Sequence, residues 1–147
     1  MVPTWNCSGI TNVAFIPLNF DEGKLVDLPM TAATYTKGQA LQVTSGYYIT
    51  AAADMNGAVE AVCMEGIVIA TTGNTAKCVS TRNTRFLADC EDAPAQTDVG
   101  TFCDLASATT LDPDSSTDDL FFIEKIVGKV ATSTQVTGYF MHENPNA

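Results

Sequence analysis

The sequence has one histidine among its 147 residues, His142, and this residue lies close to the end of the chain. A catalytic base must be held in a fixed position, and residues near a chain end are seldom held that firmly. The sequence also lacks a Gly-rich phosphate loop and the H-E-x-x-H, G-x-S-x-G and paired-carboxylate motifs of common enzymes. We therefore expect neither an enzyme nor a bound cofactor.

Positive charge is scarce as well, since seven Lys and Arg residues stand against 17 Asp and Glu residues, for a formal net charge of −10. Proteins that bind nucleic acid contact its phosphates largely through Lys and Arg. A chain with a net negative charge repels those phosphates. Copies of the chain also repel one another, although salt confines the repulsion to about 8 Å at physiological ionic strength. We expect no nucleic-acid partner, and we expect any self-association to depend on apolar contacts.

Long apolar runs are missing from the sequence. A membrane-spanning helix needs about 20 consecutive apolar residues, and a signal peptide begins with basic residues followed by an apolar stretch. Residues 1–6 show neither feature of a signal peptide. The sequence therefore predicts a protein that has no membrane partner and is made in a cytoplasm.

The cysteines are five in number and widely spaced, at Cys7, Cys63, Cys78, Cys90 and Cys103. They include no C-x-x-C pair, the unit on which zinc cages and redox motifs are usually built. Free cysteine is among the residue types most often buried. We therefore predict no metal site and interpret the cysteines as buried free thiols.

Short apolar segments separated by glycines dominate the sequence from Gly38 onward. Such segments at intervals of about 8–12 residues are typical of all-β domains, and no long amphipathic helical period occurs. A hairpin is predicted where Ala40–Val43 and Tyr47–Thr50 flank a Gly-containing turn. Other predicted strands are two within 59–70 that meet near 65–66, and one each at 76–80, 85–87, 99–105, 120–130 and 136–141. We predict that residues 39–147 form one small β-barrel or β-sandwich.

Residues 1–38 have a different composition, because Pro3, Pro17 and Pro29 recur among large apolar side chains. Proline disrupts a helix interior and is excluded from central strands, so this segment is predicted to be an extended N-terminal arm. Two alternatives are open for its apolar side chains: they pack on the core of their own chain, or they reach a neighbouring subunit. The candidate anchors of such an intersubunit contact are Trp5, Phe15, Leu18 and Phe20.

Arg82 and Arg85 place two of the few positive charges between predicted strands. An arginine can bind a carboxylate of a partner subunit through two parallel hydrogen bonds, so both are candidate contact residues. The alternative is ion pairing within the chain, which contributes at most about 1 kcal/mol when the pair is exposed. The nearby carboxylates for such pairing are Asp89, Glu91 and Asp92.

The segment Asp112–Asp119 carries oxygen-bearing side chains at alternate positions, and Glu124 follows it. This pattern is similar to a calcium-binding loop. However, Thr117 stands where such a loop has glycine, and Glu124 falls one position late. A solvated acidic loop is therefore the preferred interpretation, with calcium binding as the alternative.

Four segments stand out in the sequence between residues 34 and 141. They are residues 35–41 (YTKGQAL), Gly66 with Ile67–Ile69, residues 99–105 (VGTFCDL), and the ending from Val127–Val130 through Gly138–Phe140. In their pattern these segments together resemble small capsid decoration proteins of tailed bacteriophages. Residues 1–33 correspond to the kind of variable arm that such proteins carry.

The resemblance implies a non-enzymatic cement protein, commonly trimeric, that binds the exterior of an assembled phage head where subunits of the major capsid protein meet. Such a protein is made in the host cytoplasm and resides on the virion. One trimer engages several equivalent sites, so contacts that are weak individually hold firmly together. Binding only the expanded shell would also stabilise that state.

A second hypothesis is a β-sandwich ligand-binding or adhesion module, on a phage fibre or a cell surface. Such a module would use grouped, exposed aromatic side chains as a sugar platform, and the candidates are Trp5, Tyr47 and Tyr48. Tyr47 and Tyr48 are adjacent, so on a strand they point to opposite faces. This placement argues against a platform.

Overall fold

The computed structural model of the chain describes residues 14–18, 24–53, 55 and 57–141. These residues form thirteen strands and one 3₁₀ turn at Gln96–Asp98, with no α-helix among them, and the described part of the chain contains no helix suited to crossing a bilayer. The all-β prediction is confirmed, with three antiparallel sheets arranged like a sandwich and not as a closed barrel. The strands are β1 (Ile16–Pro17), β2 (Leu25–Pro29), β3 (Ala33–Tyr35), β4 (Ala40–Thr44), β5 (Tyr47–Thr50), β6 (Ala61–Cys63), β7 (Ile67–Ile69), β8 (Thr75–Ser80), β9 (Phe86–Asp89), β10 (Phe102–Ser107), β11 (Thr110–Asp112), β12 (Phe121–Ile126) and β13 (Gln135–Phe140).

The three sheets differ in size. Sheet I has the strand order β1-β9-β13-β12-β10-β11, sheet II has the order β2-β8-β6-β4-β5, and sheet III consists of β3 and β7 alone. Strands of sheets I and II alternate irregularly along the chain, so most of the pairing is between segments that are distant in sequence. Distant pairing of this kind is typical of sandwich folds.

The predicted hairpin is present as β4 and β5, which pair from Leu41↔Thr50 to Thr44↔Tyr47. Its two-residue turn has positive φ at both positions, 53° at Ser45 and 85° at Gly46. Two such residues match the twist of an antiparallel pair, and glycine takes this conformation without strain. The turn residues therefore fix the register of the hairpin.

The main core lies between sheets I and II. It contains buried side chains from sheet I, such as Phe86, Phe121 and Phe140, and from sheet II, such as Val62 and Val79. Burying one large apolar side chain stabilises a fold by about 1.5–3 kcal/mol. This core therefore provides the main attraction between the two large sheets.

A second core lies on the opposite face of sheet II, beneath sheet III. Strand β6 shows the arrangement, because Val62 belongs to the main core while Ala61 and Cys63 belong to the second. Tyr35 on β3 and Ile69 on β7 cover this core from sheet III. Sheet II is thus buried on both faces at its centre, which explains why the sequence of β6 is apolar without alternation.

The two strands predicted within 59–70 exist as β6 and β7, but they belong to different sheets and do not pair with each other. Strands β8, β9, β10, β12 and β13 also overlap the predicted segments. Strand β11 was not predicted, because Thr110–Asp112 begins a polar segment in the sequence. It pairs with β10 across a bulge near Leu105.

The described part of residues 1–38 is paired with the rest of the domain. Strand β1 adds to the edge of sheet I beside β9, and β2 adds to the edge of sheet II beside β8. Pro17 and Pro29 lie in these two edge strands. Proline has no N–H group, and an edge strand tolerates it because one side of the strand forms no hydrogen bonds within the sheet. Trp5 and Phe20 lie outside the described residues.

Candidate interaction surface

Phe15 and Leu18, two of the predicted anchors, flank β1 and lie on opposite sides of sheet I. Phe15, just before β1, is only 1% exposed, and its ring packs edge-on against Phe140 at a centroid distance of 4.8 Å. For Phe15, packing on the core of its own chain is therefore the alternative that the structure supports. Leu18 follows β1 and is 48% exposed, and Ile16 within β1 is 45% exposed.

Leu18 lies next to one of the two candidate arginines, since its amide donates to the carbonyl of Arg85 at 2.8 Å. Arg85 Nε in turn donates to Glu124 Oε1 at 2.8 Å, and Arg82 forms a longer ion pair with Glu60, at 3.8 Å. Both arginines thus have partners within the chain, and these are carboxylates that the sequence did not suggest. Their side chains remain well exposed, so the pairs contribute little to stability.

An aromatic row crosses the outer face of sheet I, formed by Phe102 on β10, Phe122 on β12 and Tyr139 on β13. Neighbouring strands place these residues opposite one another. The ring centroids are 5.3 Å apart between Phe102 and Phe122, and 5.1 Å apart between Phe122 and Tyr139. Phe102 and Phe122 are half-buried and Tyr139 is 36% exposed.

The strand period explains why this row faces outward. The sequence neighbours Phe121 and Phe140 are buried in the main core, and successive side chains of a strand point to opposite faces. Phe122 and Tyr139 must therefore point away from the core. The sequence does contain a sign of this arrangement, because an aromatic residue that faces outward follows or precedes a buried one in Phe121-Phe122 and Tyr139-Phe140. The outward rings come together only through the pairing of β10, β12 and β13.

Two clefts lie at the ends of the aromatic row. Tyr139 lines a cleft of about 440 Å³ together with Arg85, which we call the arginine cleft. Phe102 lines a cleft of about 540 Å³ whose walls include Asp98 and Asp114, which we call the acidic cleft. The row is therefore apolar, with carboxylates at one end and, at the other, an arginine that pairs with Glu124 of its own chain.

The acidic segment is organised around Asp104, a buried residue of β10 that lies outside the segment itself. Its carboxylate accepts hydrogen bonds from Ser115 Oγ at 2.6 Å and from the amides of Thr117, Asp118 and Asp119 at 2.8–2.9 Å. A calcium loop instead directs oxygen atoms toward its centre. The described residues contain no group of three or more His, Cys, Asp or Glu side chains placed to hold a metal ion.

The four described cysteines are free and buried, which confirms the prediction for them. Cys7 lies outside the described residues. Burial raises the pKa of the Cys90 thiol to about 12, and it raises the pKa of Cys103 as well. These two thiols therefore stay protonated and unreactive at neutral pH.

Tyr47 and Tyr48, the described candidates for a sugar platform, lie on β5 and do not form a pair. Tyr47 is exposed, whereas Tyr48 packs against the second core. The aromatic row on sheet I is the larger aromatic group on the described surface, and it was not predicted from the sequence.

No protein-family model matches the chain, and a search of curated proteins finds no relative.

Proposed function

We propose that this chain is a structural capsid decoration protein, which binds the exterior of an assembled phage head and stabilises it by bridging subunits of the major capsid protein. The observation that carries the proposal is the aromatic row on the outer face of sheet I, continued by the exposed apolar side chains of Ile16 and Leu18. Aromatic residues at the centre of a contact contribute much of the binding energy of protein interfaces.

The two ends of the row differ, which is compatible with a ring of copies such as the proposed trimer. A ring closes when each copy contacts the next one head to tail, so that two different patches meet in every interface. The acidic cleft contains Asp98 and Asp114, and the arginine cleft contains Arg85, which pairs with Glu124 of its own chain. Apolar contact must then outweigh the repulsion between copies that carry a net charge of −10 each.

The alternative function, a sugar-binding module, is less compatible with the geometry of the row. The rings of Phe122 and Tyr139 stack on each other with an interplanar angle of 25°. A sugar platform needs a ring face that is open to solvent, and in this pair each ring covers one face of the other. Such a pair is better suited to packing against the side chains of a protein.

Co-sedimentation with heads tests the proposal. Expanded heads that lack the chain are mixed with the purified protein, and bound protein is quantified in the pellet. Wild type should bind, and the double variant Leu18→Ser, Tyr139→Ser should bind at least about tenfold more weakly, since each lost apolar contact costs on the order of 1 kcal/mol. The matched control is Val68→Ser, because Val68 is 70% exposed on sheet III, away from the row.

Circular dichroism of each variant verifies folding before binding is compared. Wild-type protein that stays in the supernatant at saturating head concentrations would contradict the decoration function. Equal binding by the double variant and by Val68→Ser would show instead that the row is not the contact surface.

A further inference from the structure

Cys63 and Cys78 face each other across two neighbouring strands of sheet II. They are register partners on β6 and β8. The amide of Met64 donates to the carbonyl of Lys77 at 2.9 Å, which places the two cysteines at the adjacent non-hydrogen-bonded position of the ladder. At such positions the Cα atoms are about 4.5 Å apart, within the range that a disulfide requires.

The two thiols also interact directly. The hydrogen bond between them lowers the pKa of Cys63 to about 7 and raises the pKa of Cys78. The Cys63 thiol also donates to the carbonyl oxygen of Glu65 at 3.2 Å. Of the two thiols, Cys63 therefore gives up its proton more readily.

We propose that Cys63 and Cys78 are a site of oxidative modification, at which a peroxide converts the two facing thiols into a cross-strand disulfide. Cys63 releases its proton, and its thiolate attacks one peroxide oxygen and breaks the O–O bond. The departing hydroxide takes up the released proton, which yields a sulfenic acid at Cys63 and one molecule of water. The Cys78 sulfur then attacks the Cys63 sulfur, and the sulfenic hydroxyl takes the Cys78 thiol proton and leaves as a second water. In total the two thiols lose two electrons and two protons, and one peroxide is reduced to two waters.

The packing around Cys63 and Cys78 limits the size of the oxidants that can reach them. Both cysteines are fully buried in the second core, so a large reagent has no access in the folded state. The cover over them is sheet III, which has only two strands. A two-stranded sheet is marginally stable by itself and opens more readily than a larger one, and hydrogen peroxide is small enough to enter through a brief opening.

Oxidation would join two strands that are already paired, and it would close a loop that includes all of β7. A disulfide restricts the unfolded chain more than the folded one, so the oxidised protein should unfold at a higher temperature than the reduced protein. This consequence does not depend on the proposed capsid function.

Peptide mapping tests the proposal directly. The full-length protein is treated with hydrogen peroxide, its remaining thiols are blocked, and it is digested with trypsin under non-reducing conditions. Trypsin cleaves after Lys77 and after Arg82, so Cys63 and Cys78 fall on different peptides. We expect these two peptides to appear joined, at 2 Da below the sum of their masses, and to separate on reduction. The melting temperature should rise on the order of 5 °C.

Two variants test the order of the steps. In Cys78→Ser the reaction should stop at the sulfenic acid, so that dimedone labels Cys63. In Cys63→Ser no other peptide should be joined to the peptide that carries Cys78. Cys90 and Cys103 are the internal controls, because burial keeps both protonated. Recovery of both peptides unjoined after peroxide treatment of the wild type, or joining only of Cys90 to Cys103, would overturn the proposal even if neither variant folds.

Discussion

Asp104 accepts a hydrogen bond of 2.6 Å from the hydroxyl of Ser115, a residue of the loop that follows β11. The backbones of the same two residues are also bonded, since the amide of Asp104 donates to the carbonyl of Ser115 at 2.9 Å. A buried carboxylate is costly unless it is hydrogen-bonded, and here the loop supplies the donors. The carboxylate of Asp104 therefore holds the acidic loop in place, and the loop in turn stabilises the buried carboxylate.

Asp104→Asn should destabilise the protein by about 2–3 kcal/mol. Asparagine has one acceptor oxygen, so donors that now reach the second carboxylate oxygen would meet an NH₂ group, and hydrogen bonds to charged groups contribute about 1.5–3 kcal/mol. Urea unfolding followed by circular dichroism measures the change. The control is Asp114→Asn in the same loop, an exposed position that should stay within about 0.5 kcal/mol of wild type. Equal stability of the two variants would contradict the role of Asp104.

Calcium should not bind the acidic loop, because the oxygen atoms at its centre, those of the Asp104 carboxylate, already accept hydrogen bonds from backbone amides. Isothermal calorimetry with calcium up to millimolar concentrations should give no saturable heat. A saturable signal that disappears in a variant of Asp112 or Asp114 would show that the loop binds calcium through its outer carboxylates.

Phe15 and Leu18 should respond to substitution in opposite ways. Phe15→Ala leaves a cavity against Phe140 in the main core, and large-to-small changes of a buried Phe cost about 3–5 kcal/mol. Leu18→Ala removes an exposed side chain, so it should change stability by less than about 0.5 kcal/mol and should weaken binding to heads. Thermal unfolding and co-sedimentation of both variants measure the two effects. A Phe15→Ala protein as stable as wild type would show that the Phe15 side chain does not contribute to the main core.

Gly138→Ala should prevent stable folding. A Cβ atom at this position on β13 would overlap the carbonyl oxygen of Phe122 and lie 2.6 Å from Cε1 of Phe121. The backbone of β12 cannot move away without breaking its pairing with β13, so we expect a loss of about 3 kcal/mol or more. Gly66→Ala is the matched control, because its Cβ would lie 3.9 Å from the nearest atom, the carbonyl oxygen of Tyr35. Soluble expression and urea unfolding of both variants check this contrast.

The protein should lose stability as the pH rises above about 9. Burial raises the pKa of Cys90 from about 9 to about 12, so between these values the unfolded chain releases a proton that the folded chain retains. The free energy of unfolding should therefore fall by about 1.4 kcal/mol per pH unit for this thiol. The pKa of Cys103 is raised for the same reason, and this thiol adds to the effect.

Urea unfolding at pH 7.5, 9 and 10.5 measures this dependence. Cys90→Ala removes the titrating group, so its stability should fall less steeply with pH than that of wild type. Identical slopes for the two proteins would show that the Cys90 thiol does not contribute.

The strands were predictable wherever their signal is local. The hairpin of β4 and β5 follows from the residues that flank Ser45-Gly46, and β13 follows from a short apolar segment bounded by turn residues. Strand β11 was missed because Thr110–Asp112 pairs with β10 through backbone bonds that its polar side chains do not reveal. The placement of β1 and β2 was also hidden, since their prolines predicted an extended arm and left open whether it packs on its own domain. The edge of a sheet tolerates proline equally well.

The sequence by itself determined the all-β class, the hairpin turn and the burial of the four described cysteines, because strand period, turn conformation and side-chain polarity act over a few neighbouring residues. Only the tertiary structure decided that Phe102, Phe122 and Tyr139 share one face, and that Cys63 lies opposite Cys78. These relations depend on pairing between strands that are far apart along the chain. Many registers would satisfy the local pattern of each strand, and the packing of the sheets around two cores selects one of them.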